Sequence, residues 1–340
     1  MAAWRRSARS GGGRLKVLFV TGMHPTPSHP LRGVIVQRLR GALEALGHEV
    51  TVTQLDDRRG MKLYLSARGQ VTALIRQVDP QVIHVHFGYS TLALPPVGLP
   101  IVTSFYGDDL NGTWSAAGRT TWKSRLGVGL SHYAAWRSRK CIVVSRGMVD
   151  QLRLRSLQRK TVIIRDAIDP GLFFPRDRAE ARQRLGIGAE EVLILFPHDV
   201  TQATKRVELA SAAVGRLQDR VPNARLWIVN GKASDTMPWY YSAADMMLVT
   251  SATEGGPSSA KEALACGLPV VSVPVGDLEL FDDAPGRAFL TQPEPGAIAT
   301  TMRSVLGRAT PRRTAFLPAS LTLASAAQQI TAVYHAASGL

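Results

Sequence analysis

The sequence predicts an α/β fold made of two doubly wound, Rossmann-like halves that face a central cleft. Three observations predict it. Short apolar runs alternate with helical-period segments from residue 15 to residue 164 and again from residue 192 onward, the pattern of a parallel sheet with helices on both faces. A stretch rich in breakers, 165–175, separates the two series. The length of 340 residues exceeds one ordinary domain and suits two.

The first series opens with a strand over 15–20, then a loop rich in Pro and His (22–31) and a helix over 34–46 that Gly47 ends. Strands are expected at 49–53, 81–87, 101–105, 141–144 and 162–164. The second series has strands at 192–196 and 224–229 with a helix over 205–217 between them. A buried strand over 246–249 then runs into a Gly-Gly-Pro turn and a short helix closed by Gly267 and Pro269, before a strand from Val270. Residues 321–337 form an apolar helical stretch. The expected division is a flexible basic leader (1–14), a first domain (15–168) and a second (169–320), followed by a last helix (321–340).

Composition bounds the class. Forty-five per cent hydrophobic residues can fill two cores, yet no apolar run approaches the roughly 20 residues that span a bilayer. A soluble protein is expected. The two cysteines, Cys141 and Cys266, fall in different halves, which disfavours a disulfide and fits a reducing, cytoplasmic compartment. Residues 1–14 carry four arginines and no apolar core, so they do not read as a secretory signal.

The formal charge of +15 is unevenly spread: twelve Lys and Arg between Arg119 and Arg165 face Asp150 alone. Within that segment Trp122, Leu126, Leu130, Tyr133 and Trp136 recur at helical spacing with basic residues between them. Two readings stand. Such a stripe is ordinarily a core face, buried against the helix's own sheet. With this charge it also suits an anionic membrane surface, docking the protein peripherally. Charge alone also draws a basic protein to nucleic acid, without implying a specific complex.

The segment ADMMLVTSATEGGPSSAKEALACGLPVV carries the most chemistry, because seven residues separate Glu254 from Glu262 across a glycine turn and a helix start. Pro257 suits the first helical position, so the N–H groups of Gly256, Ser258 and Ser259 would point out of the helix start, where an anion is favoured. One carboxylate lies before that anion site and one beyond it. A nucleotide sugar satisfies both, with its diphosphate at the helix start and its ribose at Glu262. The ordinary alternative is a turn residue and a solvated helix charge.

TSATEGGPSSAKEALACGLPVVSVPVGD resembles the donor-site signature of the family 4 retaining glycosyltransferases, whose Glu-x7-Glu motif lies in the C-terminal domain of a GT-B fold. LKVLFVTGMHP, ALEALGHEVTV, DPQVIHVHFG, CIVVSRGMVDQL, IRDAIDPGLFFPRD and PWYYSAADMMLV extend the resemblance over most of 16–306. It implies retaining transfer of a sugar from a UDP- or GDP-type donor to an acceptor hydroxyl, with no metal and no other cofactor; the basic, aromatic segment adds the expectation of a lipid-linked or anionic glycan or glycolipid acceptor. By the same resemblance Glu254 orients the sugar and Glu262 holds the ribose, while Gly255, Gly256, Pro257, Ser258, Ser259 and Gly33 border the donor. Lys205 and Arg206 would clamp the diphosphate, with His198 and Asp199 standing where an Arg is usual. His86, Tyr106 and Asp109 are the acceptor-side candidates, Tyr106 taking the place of a His, and the last helix crosses back onto the first domain.

Two further readings bound the function. His84 and His86 share a strand face, but no third metal ligand is evident nearby. No Gly-x-Gly-x-x-Gly follows the first strand, which disfavours a nicotinamide or flavin site there. Base specificity is expected in the irregular stretch 231–238. A sugar-nucleotide epimerase, and a catalytically weak nucleotide-sugar-binding protein, remain the alternatives.

Overall fold

A computed structural model describes residues 13–24, 33–55, 61–113, 120–281, 287–308 and 314–339. Most of the expected leader and most of the loop 22–31 lie outside these residues. The first half comprises β1 (Lys16–Thr21), α1 (Val34–Ala45), β2 (Glu49–Gln54), α2 (Met61–Ser66), α3 (Arg68–Val78), β3 (Val82–His86), β4 (Ile101–Phe105), α4 (Asp108–Asn111), α5 (Trp122–Arg137), β5 (Lys140–Val143), α6 (Arg146–Gln151), α7 (Arg155–Arg159) and β6 (Thr161–Ile163). Its six strands form one parallel sheet in the order β2-β1-β3-β4-β5-β6.

The second half comprises α8 (Arg178–Leu185), β7 (Val192–Phe196), α9 (Val207–Gln218), β8 (Ala224–Ile228), α10 (Met237–Ala243), β9 (Met246–Val249), α11 (Ser258–Ala265), β10 (Val270–Ser272), β11 (Ala288–Leu290) and α12 (Pro295–Leu306). Its parallel sheet runs β11-β10-β9-β7-β8. Strands covered on both faces have no polar side, which is why Val17 to Val20 and Met246 to Val249 are apolar throughout and fully buried.

The strand order reverses at one place in each sheet, between β1 and β3 in the first and between β7 and β9 in the second. Loops leaving the carboxyl ends of such a pair diverge and open a crevice where ligands bind. Tyr106 and Gly107 after β4 meet the loop after β9, so the crevice of the second half faces the first.

The last helix, α13 (Leu323–Ser338), packs Ala326, Ile330, Val333 and Tyr334 into the core around Val17, Phe19 and Leu43. Ile168, in the connector between the sheets, bridges to Thr322 just before this helix, and its N–H donates to Leu321 O at 2.7 Å. The two chain crossings are therefore paired.

α5 departs from the core-face reading of its aromatic stripe. Ser124, Gly127, Ser131, Ala134 and Ala135 are its buried residues. A Cβ on Gly88 would lie 2.5 Å from Ser131 Oγ, and one on Gly127 2.5 Å from the Tyr89 hydroxyl, so the backbones are too close for large side chains. The aromatic residues are turned outward instead.

Candidate functional site

At the second crevice the loop after β7 ends in a short 3-10 turn (Ala203–Lys205), and Arg206 turns the chain into α9 with φ 52°. That left-handed conformation is uncommon for a residue with a side chain, and hydrogen bonds hold it. The Thr250 hydroxyl donates to Lys205 O at 2.7 Å, while Arg206 Nε donates to Thr250 O at 2.5 Å and Nη2 to Ser251 O at 3.1 Å. Arg206, expected as a phosphate cation, is thus engaged in fastening the two loops together. Lys205 projects across the seam, its Nζ 2.5 Å from Glu254 Oε1, with both side chains largely buried.

His198 is enclosed edge-on against Phe196, and burial, aided by the charge of Lys205, lowers its imidazole to about 3. It is neutral and supplies no positive charge. Asp199 faces solvent and caps the turn, accepting from Thr201 N at 2.9 Å and its hydroxyl at 2.7 Å.

The helix start differs by one residue from expectation: Pro257 is the cap, and Ser258 is the first helical residue. The first intrahelical acceptor is Pro257 O, which takes Ala260 N at 3.1 Å and Lys261 N at 3.4 Å. The N–H groups of Ser258 and Ser259 precede these bonds, and the positive end of the helix dipole points from them.

Beneath this turn lies a charge cluster that the sequence pattern did not single out. Lys261 is fully buried, with Nζ 2.8 Å from Asp277 Oδ2. Arg165 Nε approaches the same oxygen at 3.5 Å. Ser258 Oγ donates to Asp166 Oδ2 at 3.0 Å, tying the helix start to the interdomain connector. Burial raises Asp166 to about 6 despite the Lys261 charge. A Cβ on Gly256 would stand 3.1 Å from Lys261 Nζ and 3.2 Å from Asp166 Oδ2, so the turn sits directly on the cluster.

Glu262 is not a solvated helix charge. Tyr241 donates its hydroxyl to Oε2 at 2.8 Å, and Arg38 of α1 comes within 3.8 Å of Oε1. Arg38 also donates to Ser234 Oγ at 2.8 Å and lies over the Phe173 ring, so one side chain of the first half spans three segments of the second. Burial raises the Glu262 carboxyl to about 7, against the pull of Tyr241 and Arg38. Within the stretch 231–238 only the first part is irregular, because α10 begins at Met237.

The facing wall is backbone. A Cβ on Gly255 would lie 2.1 Å from Tyr106 O, and one on Gly107, at φ 145°, would lie 3.1 Å from Gly255 N. Asn111 Nδ2 reaches Glu254 O at 3.4 Å. Asp109 is fully buried and holds this wall from behind, accepting from the N–H groups of Tyr106 at 3.1 Å and Gly107 at 3.0 Å; burial raises it to about 6. Its neighbour Asp108 is exposed and lies within electrostatic reach of Lys205 and Glu254. Sequence reasoning passed over Asp108 because Asp109 fitted the motif.

His86 does not reach the cleft. It is fully buried, sharing a 2.6 Å hydrogen bond through Nδ1 with the Tyr106 hydroxyl, and its ring lies 4.0 Å from that of His84. His84 in turn bonds the Tyr334 hydroxyl of α13 at 2.7 Å and Ser104 Oγ at 2.8 Å. Burial lowers His84 to about 3 and His86 well below its ordinary value, so both imidazoles are neutral. Among the described residues no group of three or more His, Cys, Asp or Glu is disposed to hold a metal ion. Gly33 caps α1 at φ 64°, where a Cβ would lie 2.2 Å from Met23 O, so the helix start lies directly against the chain that leaves β1.

Two family models match this chain: "Glycosyltransferase Family 4" over residues 33–172 and "Glycosyl transferases group 1" over 210–308. A D-inositol 3-phosphate glycosyltransferase of Geodermatophilus obscurus is 29% identical over 44% of this chain and 41% of its own length. The chain thus spans about two-fifths of that relative. Among solved structures, sucrose-phosphate synthase from Thermosynechococcus elongatus superposes with a TM-score of 0.75 over 94% of this chain and 98% of its own, at 18% identity. Anabaena HepE, solved in complex with UDP and glucose, does so with a TM-score of 0.61 over 94% and 95%, also at 18% identity. The two parallel-sheet domains have the GT-B arrangement of these neighbours.

Proposed function

This chain belongs to the family 4 glycosyltransferases, and from that premise we propose that it transfers a glycosyl group, with retention, from a nucleoside diphosphate sugar to an acceptor hydroxyl. The observation that carries this reading is the Lys205–Glu254 pair at the second switch point, beside the open end of α11 and with Glu262 one helix turn further on.

The donor's diphosphate sits over Gly255, Gly256 and Pro257, against the N–H groups of Ser258 and Ser259. Glu262 accepts from the ribose hydroxyls. Glu254 meets the hydroxyls of the transferred sugar and, in doing so, releases Lys205 to the leaving phosphate. As the glycosidic C–O bond breaks, charge grows on that phosphate oxygen, and Lys205 with the helix end stabilises it. The same oxygen takes the proton of the acceptor hydroxyl, which attacks from the face that the phosphate leaves, so the anomeric configuration is kept. Lys205 and the helix end supply the charge that a metal supplies in other designs, and the transfer proceeds without one. Contact between Gly107 and Gly255 excludes water, the competing acceptor.

The acceptor enters from the Tyr106–Asp108 side, and it carries negative charge, in keeping with a +15 protein. Two buried free cysteines, Cys141 and Cys266, suit a reducing cytoplasmic site.

A panel of UDP- and GDP-linked sugars, with nucleoside diphosphate release and the anomeric configuration of the product followed by NMR, tests the reading. Release that survives a chelator and yields the retained anomer supports it. An inverted product contradicts retention, and an isomerised donor formed without acceptor marks an epimerase instead. Binding without release in the presence of acceptors reduces the protein to a nucleotide-sugar binder.

A further inference from the structure

The outer face of α5 is the least expected surface of this molecule. Trp122, Leu126, Tyr133 and Trp136, with Gly129 between them, fall at i, i+4, i+11, i+14 and i+7, which one side of an α-helix brings into a single line. That line lies opposite Ser124, Gly127, Ser131, Ala134 and Ala135, the residues packed inward. Trp122 is 71% exposed and Trp136 68%, extreme values for side chains that usually lose most of their surface on folding. Leu126, Tyr133 and, from the next connector, Leu154 are exposed with them. The connector is held beside α5 by His132, whose Nε2 lies 3.2 Å from Gln151 O. A cluster of exposed aromatic and aliphatic side chains on one face marks an interaction surface.

The charge around the stripe selects the partner. Lys123 and Arg125 flank it on the helix, Arg153 and Arg155 border Leu154, and Arg146 and Arg159 lie on the adjoining elements, all exposed. Asp150, spaced 3.8 Å from Arg146, is the one acidic residue described between positions 120 and 165. Lys123 Nζ stands 5.8 Å from the centre of the Trp122 ring, and Tyr133 stacks on Trp136 at 6.0 Å, so cation and aromatic surface alternate. A second copy docking through the same face would set this basic rim against itself. An anionic bilayer answers both parts at once: headgroups neutralise the rim, and the indole and phenol rings enter the interface, where an apolar body with a polar edge is favoured.

We propose that α5 and the α6–α7 connector dock this protein on an anionic membrane surface, with Trp122 and Trp136 as the inserted anchors. The geometry relates docking to the cleft. The Ser124 hydroxyl, at the Trp122 end of α5, accepts from Thr113 N at 2.7 Å, and α4 just before it presents Asn111 to Glu254. The acceptor side of the cleft therefore opens near the docked face. The inference stands on surface and charge and does not depend on the glycosyltransferase reading.

Flotation of the full chain with phosphatidylcholine vesicles, and with vesicles containing about one-third phosphatidylglycerol, tests it. The protein should float with the anionic vesicles alone, its tryptophan emission should shift to the blue, and about 0.5 M salt should release it. Trp122→Ser/Trp136→Ser, both at exposed sites, should lower partitioning about tenfold or more while leaving circular dichroism and nucleotide-dependent thermal stabilisation unchanged. Equal binding to both vesicles, no binding to either, or full retention by the double variant overturns the proposal. Failure here with intact nucleotide binding leaves the donor site standing, and the reverse result leaves the surface standing. Salt-insensitive self-association lost in the double variant would overturn it in favour of a contact between copies.

Discussion

The two walls of the cleft are built on opposite plans. On the second half, polar and charged side chains converge: Lys205 on Glu254, Lys261 on Asp277 beneath the turn, and Tyr241 on Glu262, which Arg38 also approaches from α1 of the first half. On the first half, Arg38 reaches across, but opposite Glu254 the polar side chains turn inward. Asp109 holds the loop from behind, His86 is sealed under Tyr106, and what faces Glu254 is the backbone of residues 106–107 with the carboxylate of Asp108. On the proposed function, a donor of fixed chemistry calls for fixed side chains at defined distances, whereas a wall of backbone constrains shape and leaves the acceptor to surrounding segments.

The largest effect expected from breaking this contrast is at Lys205. Lys205→Ala removes the cation proposed to meet the leaving phosphate, and turnover at saturating donor should fall about 10²- to 10³-fold. Initial rates at saturating donor measure it. Arg206→Ala should instead act mainly on stability, since its guanidinium holds the carbonyls of Thr250 and Ser251. Denaturant titration separates the two.

Next comes the seam. A methyl group at Gly255 would sit 2.1 Å from Tyr106 O, so Gly255→Ala must part the halves by an ångström or more. A misplacement of that size is expected to lower kcat/KM about 100-fold, with nucleotide affinity much less affected. Steady-state kinetics beside nucleotide titration will show whether the wall of backbone matters.

Glu262 sharpens the contrast through pH. In the free protein burial holds its carboxyl at about 7, and the form that accepts ribose hydroxyls is ionised. Binding must therefore expel a proton below that value. Affinity for the nucleoside diphosphate should rise about tenfold per pH unit on approaching 7 from below and level off above it. Glu262→Gln should flatten the profile. A flat profile in the parent protein removes Glu262 from the ribose site.

The smallest effect belongs to the inward-facing wall. Tyr106→Phe deprives His86 Nδ1 of its partner in a buried setting and should cost about 1–3 kcal/mol of stability. Donor affinity should not change, and a denaturant midpoint beside a nucleotide titration checks both.

How much of this could be read beforehand follows the same division. Strands buried on both faces announce themselves as apolar runs, so β1, β4, β7 and β9 and the breaker-rich connector were legible. The turn between Glu254 and Glu262 was legible because the two carboxylates and the glycines between them are close in the chain. The network under it was not: Lys261 meets Asp277 and Asp166 only through tertiary folding, and a Lys in an amphipathic helix reads as solvated. Arg38 reaches Glu262 across the two halves, and no local pattern marks it. α5 misled for a clearer reason, since its periodicity identifies a stripe without saying which way it faces. Gly127, Ser131 and Ala134 on the opposite side were the available signal, small residues where a helix backbone approaches its neighbour closely.

The proposed donor site stands or falls on a division of labour between the two motif carboxylates. For a donor identified from the panel, nucleotide affinity and turnover would be measured in parallel for Glu254→Gln and Glu262→Ala. Glu254→Gln should lower turnover about 100-fold with nucleotide affinity nearly unchanged. Glu262→Ala should weaken nucleotide binding about tenfold or more while most turnover at saturation is kept. Unchanged kinetics in both variants, or the reverse pattern, would contradict it.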